Sequence, residues 1–461
     1  MLLTLMSSIQ DMLPRILETV KQPYVIAIAL FAITYVLLFT LPKIRSYIAL
    51  GSAVIFSVWL SFFCKDIEFG FSDIVNAIDF NVLMMIAGTM GIVTLFIESK
   101  MPMRIADVML TKFKTVKTSI VAMAVLAGVV SAFVDNVATV LMIAPIALAV
   151  CKKQNISPVA PIICIAISSN LQGAATLVGD TTSILLGGAA NMNFFDFFVF
   201  RGRPSIFWAV EIGAALTVLI LLFIFRKENK PLTLTDKTPV TDYVPTYLMV
   251  GVVVLLIAAS FIPTPAGGAL LTLYNLRNGI ICMVLLVVGM IINLCRTKSF
   301  DSIKGVFKEM DYQTLLLLAS LFVVIGSITK AGVIDMLAGA LVKLGGGSPF
   351  LMYTVIVFAS VLISAVVDNI PYVLTMLPVV ASVAETMGIS PIVLYFGLLI
   401  GSTLGGNITP IGASANITGI GILRKEGYEV KAGTFMKISV PFTLTAVLSG
   451  YLIVWLCWGL F

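Results

Sequence analysis

Ser131-Ala-Phe-Val-Asp-Asn-Val-Ala-Thr-Val-Leu-Met-Ile-Ala-Pro-Ile146 returns later in the chain as Ser364-Ala-Val-Val-Asp-Asn-Ile-Pro-Tyr-Val-Leu-Thr-Met-Leu-Pro-Val379. Eight of the sixteen aligned positions are identical, at an offset of 233 that takes Asp135 to Asp368 and Pro145 to Pro378. Without a gap, the same offset carries Gly173, Thr176 and Gly179 onto Gly406, Thr409 and Gly412. Each copy sets an Asp-Asn pair inside a strongly apolar run. A carboxylate there is costly and is kept where it has a task. Related halves with polar breaks at matched positions point to the binding site of a secondary transporter.

Composition agrees with that class. The 461 residues are 59% hydrophobic and only 11% charged, with a mean hydropathy of +1.09; a soluble domain carries about a quarter charged residues. Apolar runs repeat at spanning length, about 17–25 residues, as in Tyr24 to Leu41, Tyr47 to Phe63 and Ala209 to Phe225. An all-α, multi-pass membrane protein is the expected fold, with the lipid bilayer as its principal partner. The net charge of +6 serves anchoring and topology. No basic run interleaved with aromatics suggests nucleic acid. The six cysteines form no CxxC pair and read as small buried apolar residues. Histidine is absent, so proton handling falls to carboxylates, and a His-based metal site or catalytic triad is excluded. No cofactor is expected beyond coupling sodium ions or protons, and no enzymatic activity. Residues 1–22 carry apolar positions at helical spacing and predict an amphipathic helix on the membrane surface.

The chain divides into a first repeat over 23–226, a polar cytoplasmic linker at 227–244 and a second repeat over 245–461. Each repeat holds six apolar units. The fourth carries the Asp-Asn pair, as a hairpin at 118–150 and again at 350–387. The fifth is interrupted by glycine and polar residues, as a broken helix at 158–190 and again at 391–422. If each Asp-Asn segment is re-entrant, each half crosses five times and the second half is inverted. Basic residues then sort cleanly. One side collects 21 of the 29 Lys and Arg, including Lys100, Arg104, Lys117, Lys152, Lys153, Lys230, Arg296, Arg424 and Lys425. The other keeps Arg15, Lys21, Lys65, Arg201, Arg203, Arg277, Lys330 and Lys343. By the positive-inside rule the 21-residue side is cytoplasmic and both termini face out.

In this arrangement Asp135-Asn136 and Asp368-Asn369 sit at hairpin tips, where a second helix begins and its free N–H groups and positive dipole end face the tip. Capping that helix is one role for each aspartate, and ligation is compatible with it. The broken helices read Asn170-Leu-Gln-Gly-Ala-Ala-Thr-Leu-Val-Gly-Asp-Thr-Thr-Ser183 and Gly405-Gly-Asn-Ile-Thr-Pro-Ile-Gly-Ala-Ser-Ala-Asn416. Unwound backbone at membrane depth is tolerated where it is buried in protein or lines a polar cavity, and its carbonyls suit sodium. Small-residue helix packing is the alternative reading, but it has no need of Asp180, Asn407, Pro410 or Asn416. The candidate site is therefore Asp135, Asn136, Thr139, Thr176, Asp180 and Ser183 with Asp368, Asn369, Asn407, Thr409, Ser414 and Asn416. Among these, Asn136, Thr176, Asn369 and Thr409 are the candidate sodium ligands.

Val134-Asp-Asn-Val-Ala-Thr-Val-Leu-Met-Ile-Ala-Pro145 resembles the hairpin tip of the ion transporter superfamily, and Gly173-Ala-Ala-Thr-Leu-Val-Gly-Asp180 and Leu404-Gly-Gly-Asn-Ile-Thr-Pro-Ile-Gly-Ala-Ser-Ala-Asn416 resemble its paired loops. That group includes arsenite permeases, bacterial sodium–proton antiporters, citrate and dicarboxylate carriers and the melanosomal P protein. The resemblance runs from about residue 80 to the C-terminus, apart from the linker. It implies a dimeric inverted-repeat carrier of the cell membrane, with scaffold and transport domains and elevator-like alternating access. One departure stands out: after Gly-Asp the family pattern is Pro-Pro-Asn, whereas here it is Thr181-Thr182-Ser183. A weaker or altered first-half ion site is the expected consequence.

The tips bear on substrate. Dicarboxylate carriers of the superfamily carry Ser-Asn-Thr there, and neutral donors suit a carboxylate. Two like charges about 4 Å apart repel by roughly 4 kcal/mol at an effective dielectric of 20. Asp135 and Asp368 thus oppose a citrate-like dianion unless sodium ions or protons intervene. Sodium–proton exchange is the expected activity, since one carboxylate can alternate between the two cations. Arsenite or another small inorganic anion or neutral acid is the alternative. A dicarboxylate carrier and an intramembrane aspartyl protease stand further off.

Overall fold

The computed structural model describes residues 23–64, 67–113, 115–231 and 238–460; the surface helix expected over 1–22 and part of the linker lie outside them. In lipid a chain must satisfy its own backbone, so apolar runs fold as helices. The first half contains α1 (Pro23–Thr40), α2 (Arg45–Phe63), α3 (Phe71–Ala77), α4 (Phe80–Glu98), α5 (Met101–Leu110), α6 (Val116–Ser131), α7 (Asn136–Lys153), α8 (Val159–Gly173), α9 (Thr181–Ala189) and α10 (Ile206–Ile224). The second contains α11 (Val244–Ser260), α12 (Ala269–Thr297), α13 (Asp301–Glu309), α14 (Tyr312–Lys330), α15 (Val333–Leu344), α16 (Pro349–Ser364), α17 (Asn369–Met387), α18 (Ile392–Leu399, continued by a wider turn to Leu404), α19 (Ser414–Lys425) and α20 (Ala432–Val454). A short antiparallel ribbon, Val199–Phe200 with Arg203–Pro204, precedes α10. Among the described residues, nine helices are long and apolar enough to cross a membrane.

The offset of 233 seen in sequence governs the elements as well. Adding it to the bounds of α6 gives those of α16, and the starts of α7, α8 and α9 fall on those of α17, α18 and α19. The proline inside α7, Pro145, matches the proline inside α17, Pro378. The short helices α3, α5, α13 and α15 fall in stretches read only as connections in the sequence.

The chain forms two compact units, and each draws on both repeats. The first gathers residues up to Asp79 with Tyr312–Leu344 and Pro378–Gly388. Here α2 lies along α14, and Gly326 of α14 leaves room for Ala77 of α3; an added Cβ would meet the Ala77 Cβ at 2.8 Å. Lys330 pairs with Asp73 at 3.2 Å, and the Gly70 N–H donates to the same carboxylate at 2.9 Å. That backbone N–H, followed by the Lys330 ammonium, holds the Asp73 carboxyl below its ordinary range.

The second unit repeats this pairing with the halves exchanged: α4 lies along α12. Gly88 faces the Cys282 backbone, and Gly91 faces Leu286. Such small residues let helix backbones approach closely. The hairpin arms and broken helices pack here too, α6 on α8 and α16 on α18. Gly397, Gly401 and Gly405, one turn apart on α18, each face α16, where a Cβ at Gly401 would sit 2.4 Å from the Val357 carbonyl.

Polar contacts at the ends of this unit sort by side. The Lys117 N–H donates to the Glu228 carbonyl at 2.8 Å and the Val116 N–H to that of Lys230 at 3.0 Å, so α6 begins beside the linker. Lys152 pairs with Glu426, and Arg296 with Asp242 at 2.8 Å. All of these carry the cytoplasmic assignment. Arg277 with Asn193, and Trp458 with the Pro204 carbonyl, meet on the side assigned outward. In a cysteine-less background, cysteines at 343 are expected to react with an impermeant reagent in sealed cells and cysteines at 152 are not. Labelling at 152 but not at 343 would overturn the hairpin topology. The companion expectation for Phe461 lies outside the described residues.

Candidate functional site

Four backbone features converge in the second unit. Two are the hairpin turns between α6 and α7 and between α16 and α17. The other two are the loops where α8 breaks before α9 and α18 before α19. Their aspartates are helix caps. Asp135 Oδ2 accepts from the Val137 and Ala138 N–H groups at 2.9 and 3.1 Å. Asp368 Oδ1 accepts from the Ile370 N–H at 3.2 Å. Asp180 caps α9, accepting from the Thr181 N–H at 2.8 Å and the Thr182 hydroxyl at 2.9 Å. A carboxylate offers about four lone-pair sites, so capping a helix and holding a cation are compatible. Asp135 and Asp180 line one narrow cleft, together with Thr89, Thr181 and apolar residues of α4.

Each turn is fastened to its neighbouring loop in the same way. The Thr176 hydroxyl donates to the Ala132 carbonyl, and the Thr409 hydroxyl to the Ala365 carbonyl. Within each loop a second bond closes the break. Ser183 donates to the Gly173 carbonyl at 3.0 Å, and Asn416 to the Gly406 and Thr409 carbonyls, both at 3.0 Å. Ser183 therefore keeps one of the two bonds made by its counterpart. The departure from the Pro-Pro-Asn pattern costs the first loop one fastening, not its closure.

Around each loop glycine, carbonyl oxygens crowd. A Cβ at Gly179 would lie 2.7 Å from the Gly173 oxygen, 2.9 Å from that of Ala132 and 3.0 Å from that of Ser131. At Gly412 the corresponding distances are 2.6 Å to Gly406, 2.8 Å to Ala365 and 2.9 Å to Ser364. Three carbonyls, two from a hairpin turn and one from a broken helix, thus point into the same space twice. Nearby oxygens are left over: Ser131 Oγ, Thr139 Oγ1 and Asn416 Oδ1 are buried and have no hydrogen-bond partner among the described residues. In each cage two of the three carbonyls already accept a side-chain bond, from Thr176 and Ser183 in the first and from Thr409 and Asn416 in the second. A carbonyl oxygen carries two lone pairs, so the second can still serve a hard cation.

The two halves are tied by a relay of amides. Asn136 donates to Asn170 Oδ1 at 3.0 Å, while Asn170 donates to the Thr403 carbonyl at 2.7 Å and to Asn407 Oδ1 at 3.1 Å. Asn407 donates onward to the Ile167 carbonyl at 2.9 Å. In the second half Asn369 accepts from Ser364. Asn136, Asn369 and Asn407 are thus placed by other polar groups. Ser414, half-buried, opens α19 and accepts from Thr418 through its carbonyl at 2.9 Å. Sequence reasoning left Asn170 and Thr182 out of the candidate set, although Asn170 opens the quoted loop motif. Thr182 links to the second half through Thr403 at 3.0 Å. The cage carbonyls carry no residue-type signal at all.

With this geometry in view, the comparisons with known proteins fall into one group. The family model described as citrate transporter matches residues 25–401 and 269–459. A 46 kDa membrane protein of Mycobacterium leprae is 29% identical over 440 residues, covering 94% of this chain and 98% of its own. The human P protein is 24% identical over 453 residues, covering 83% of this chain and 54% of its own. Among solved structures, the YdaH transporter of Alcanivorax borkumensis shares the fold with a TM-score of 0.59 at 15% identity, over 94% of this chain and 98% of that one. MtrF of Neisseria gonorrhoeae follows at 0.53 and 14%, over 83% and 82%. Repeats, spans, paired loops and family match agree: the chain is a multi-pass membrane transporter and belongs to the citrate transporter family of the ion transporter superfamily.

Proposed function

We propose that this transporter is a sodium-linked secondary carrier of the cell membrane that exchanges sodium for protons by alternating access. The observation that carries the reading is the pair of carbonyl cages at Gly179 and Gly412, each bordered by a capping aspartate at a hairpin tip. A cage of carbonyl oxygens, each with a lone pair beyond the one its hydroxyl or amide donor takes, suits a cation, and an adjacent carboxylate adds charge that a proton can cancel. Sodium and protons then compete for one site, which is the minimum that exchange requires. Because each cage is shared between a hairpin and a broken helix, the two would move together with their ion. An elevator motion of a homodimer is the arrangement proposed for that step.

The citrate-family match makes a carboxylate substrate the second reading. Asp135, Asp180 and Asp368 repel a bare polyanion, so citrate would have to enter with cations. Arsenite and other small neutral acids avoid that repulsion and remain alternatives. The transporter family removes the protease alternative, because its members move solutes.

Sign matters in the test. A proton on a tip aspartate removes the charge that holds sodium, so apparent sodium affinity is expected to weaken as pH falls. Calorimetric titration of sodium over roughly pH 5.5 to 8.5 measures this, and Asp135→Glu or Asp368→Glu should displace the curve. Affinity flat across the range would remove the exchange reading. Flux of citrate or arsenite without sodium–proton exchange, in the same liposomes, would put the alternatives in its place.

A further inference from the structure

Glu211 is a carboxylate that neither cage uses. It lies on α10, about 7.5 Å along the helix from its first residue, and is the only charged residue of that apolar helix. Half-buried, it sits between the exposed Trp208 and Ile212 and the buried Val210 and Gly213. Gln172, in the last turn of α8 before the break, donates to Glu211 Oε2 at 3.2 Å. Gln172 is only 6% exposed, and its own Oε1 is buried with no hydrogen-bond partner among the described residues.

That orphan oxygen bears on the state of the pair. An ionised carboxylate can only accept, so it leaves the Gln172 oxygen unfed, at a cost of about 1–3 kcal/mol for a buried polar atom. A protonated acid also donates. Its O–H can serve the amide oxygen while the amide N–H serves the acid carbonyl, closing a two-bond ring. Were the amide turned over, its oxygen would face Glu211 Oε2, and again only a protonated acid could donate to it. The apolar character of α10, a helix of spanning length, also disfavours the ion.

The arrangement is built for this half alone. Gly128 of α6 makes room for Gln172, since an added Cβ would meet the Gln172 Cγ at 2.9 Å. At the offset of 233, Gly128, Gln172 and Glu211 become Val361, Gly405 and Leu444. The polar pair and the gap that admits it are therefore present together in one half and absent together from the other. Helices α6, α8 and α20 pack on α10. The titratable groups that they bring are Lys117 on α6, Cys164 on α8, and Lys437 and Tyr451 on α20. Tyr451 is engaged with Thr354 at 2.8 Å. Among the described residues none of the four bonds to Glu211.

We infer that Glu211, paired with Gln172, is a proton-binding site of the carrier that is coupled to the first-half cage. Gln172 adjoins Gly173, whose carbonyl lines that cage, so filling the cage and shifting the amide act on one helix end. One proton is taken up from water and returned to it, with no other bond made or broken. The coupling rests on the exchange reading above, whereas the protonation does not.

Infrared spectroscopy of the reconstituted protein separates the two. At neutral pH the wild type is expected to show the C=O stretch of a neutral carboxylic acid, and Glu211→Gln, which keeps size and hydrogen bonds, is expected to remove it. A spectrum without that band, or a band unchanged in the variant, would overturn the assignment. Should Glu211→Gln fail to reach the membrane, Gly128→Ala displaces Gln172 while leaving the acid, and must shift the band; no shift would also overturn the pairing. In flux assays Glu211→Gln should flatten the pH profile of sodium-driven transport, and a wild-type profile would refute the coupling. A neutral-acid band in a wild type that shows no sodium–proton exchange would leave Glu211 protonated and remove the exchange reading alone.

Discussion

Gly179→Ala and Gly412→Ala are each expected to lower sodium affinity by about 10- to 100-fold. The added methyl would sit 2.6–3.0 Å from three carbonyl oxygens, closer than a carbon tolerates, and these oxygens are backbone groups fixed by two helices. Overpacking of this kind typically costs about 1–3 kcal/mol, and each 1.4 kcal/mol is about tenfold in affinity. Because the collision is with the proposed ligands themselves, the loss should appear in sodium binding before it appears in melting temperature. Gly433→Ala is the control, since nothing lies within 4 Å of a Cβ there. Calorimetry and sodium-gradient flux on the three variants provide the measurement. Unchanged sodium binding in both cage variants would show that the carbonyls hold no ion.

The next largest effect concerns charge. Asp135→Asn and Asp368→Asn are each expected to abolish sodium–proton exchange, or reduce it at least tenfold, with folding intact. Asparagine caps a helix about as well as aspartate. The bonds to Val137, Ala138 and Ile370 therefore survive the change, and only the titratable charge is lost. Comparison with the alanine variants sharpens the test, because alanine forfeits the cap as well, at about 1 kcal/mol. Asparagine variants that express and exchange at wild-type rates would reduce the aspartates to caps.

Membrane class, the repeat and its offset, the hairpins and the positions of the breaks were all legible in the sequence. Each depends on a property of residue types along a line: apolar length, glycine against hydroxyl, an Asp-Asn pair in hydrocarbon. The short helices α3, α5, α13 and α15 were not legible, because they mix charge with apolar residues and resemble loops in a hydropathy reading. Of the candidate residues, Thr176 and Thr409 fasten the turns through the Ala132 and Ala365 carbonyls, a bond that the sequence did not indicate.

What the tertiary structure alone decided is the chemistry between chain segments. The cages at Gly179 and Gly412 are made of backbone oxygens, which every residue owns, so no letter of the sequence reports them. Ser183, a candidate site residue by its position, holds its loop through the Gly173 carbonyl as Asn416 holds the other, with one bond fewer. Glu211 stood in plain view as a charge in an apolar span, but its counterpart is Leu444, and matching halves draws attention only to what is repeated. Its partner Gln172 lies 39 positions away, and the gap at Gly128 lies on a third helix. A sequence orders residues along one dimension, and the proximity of three helices exists only once they have packed.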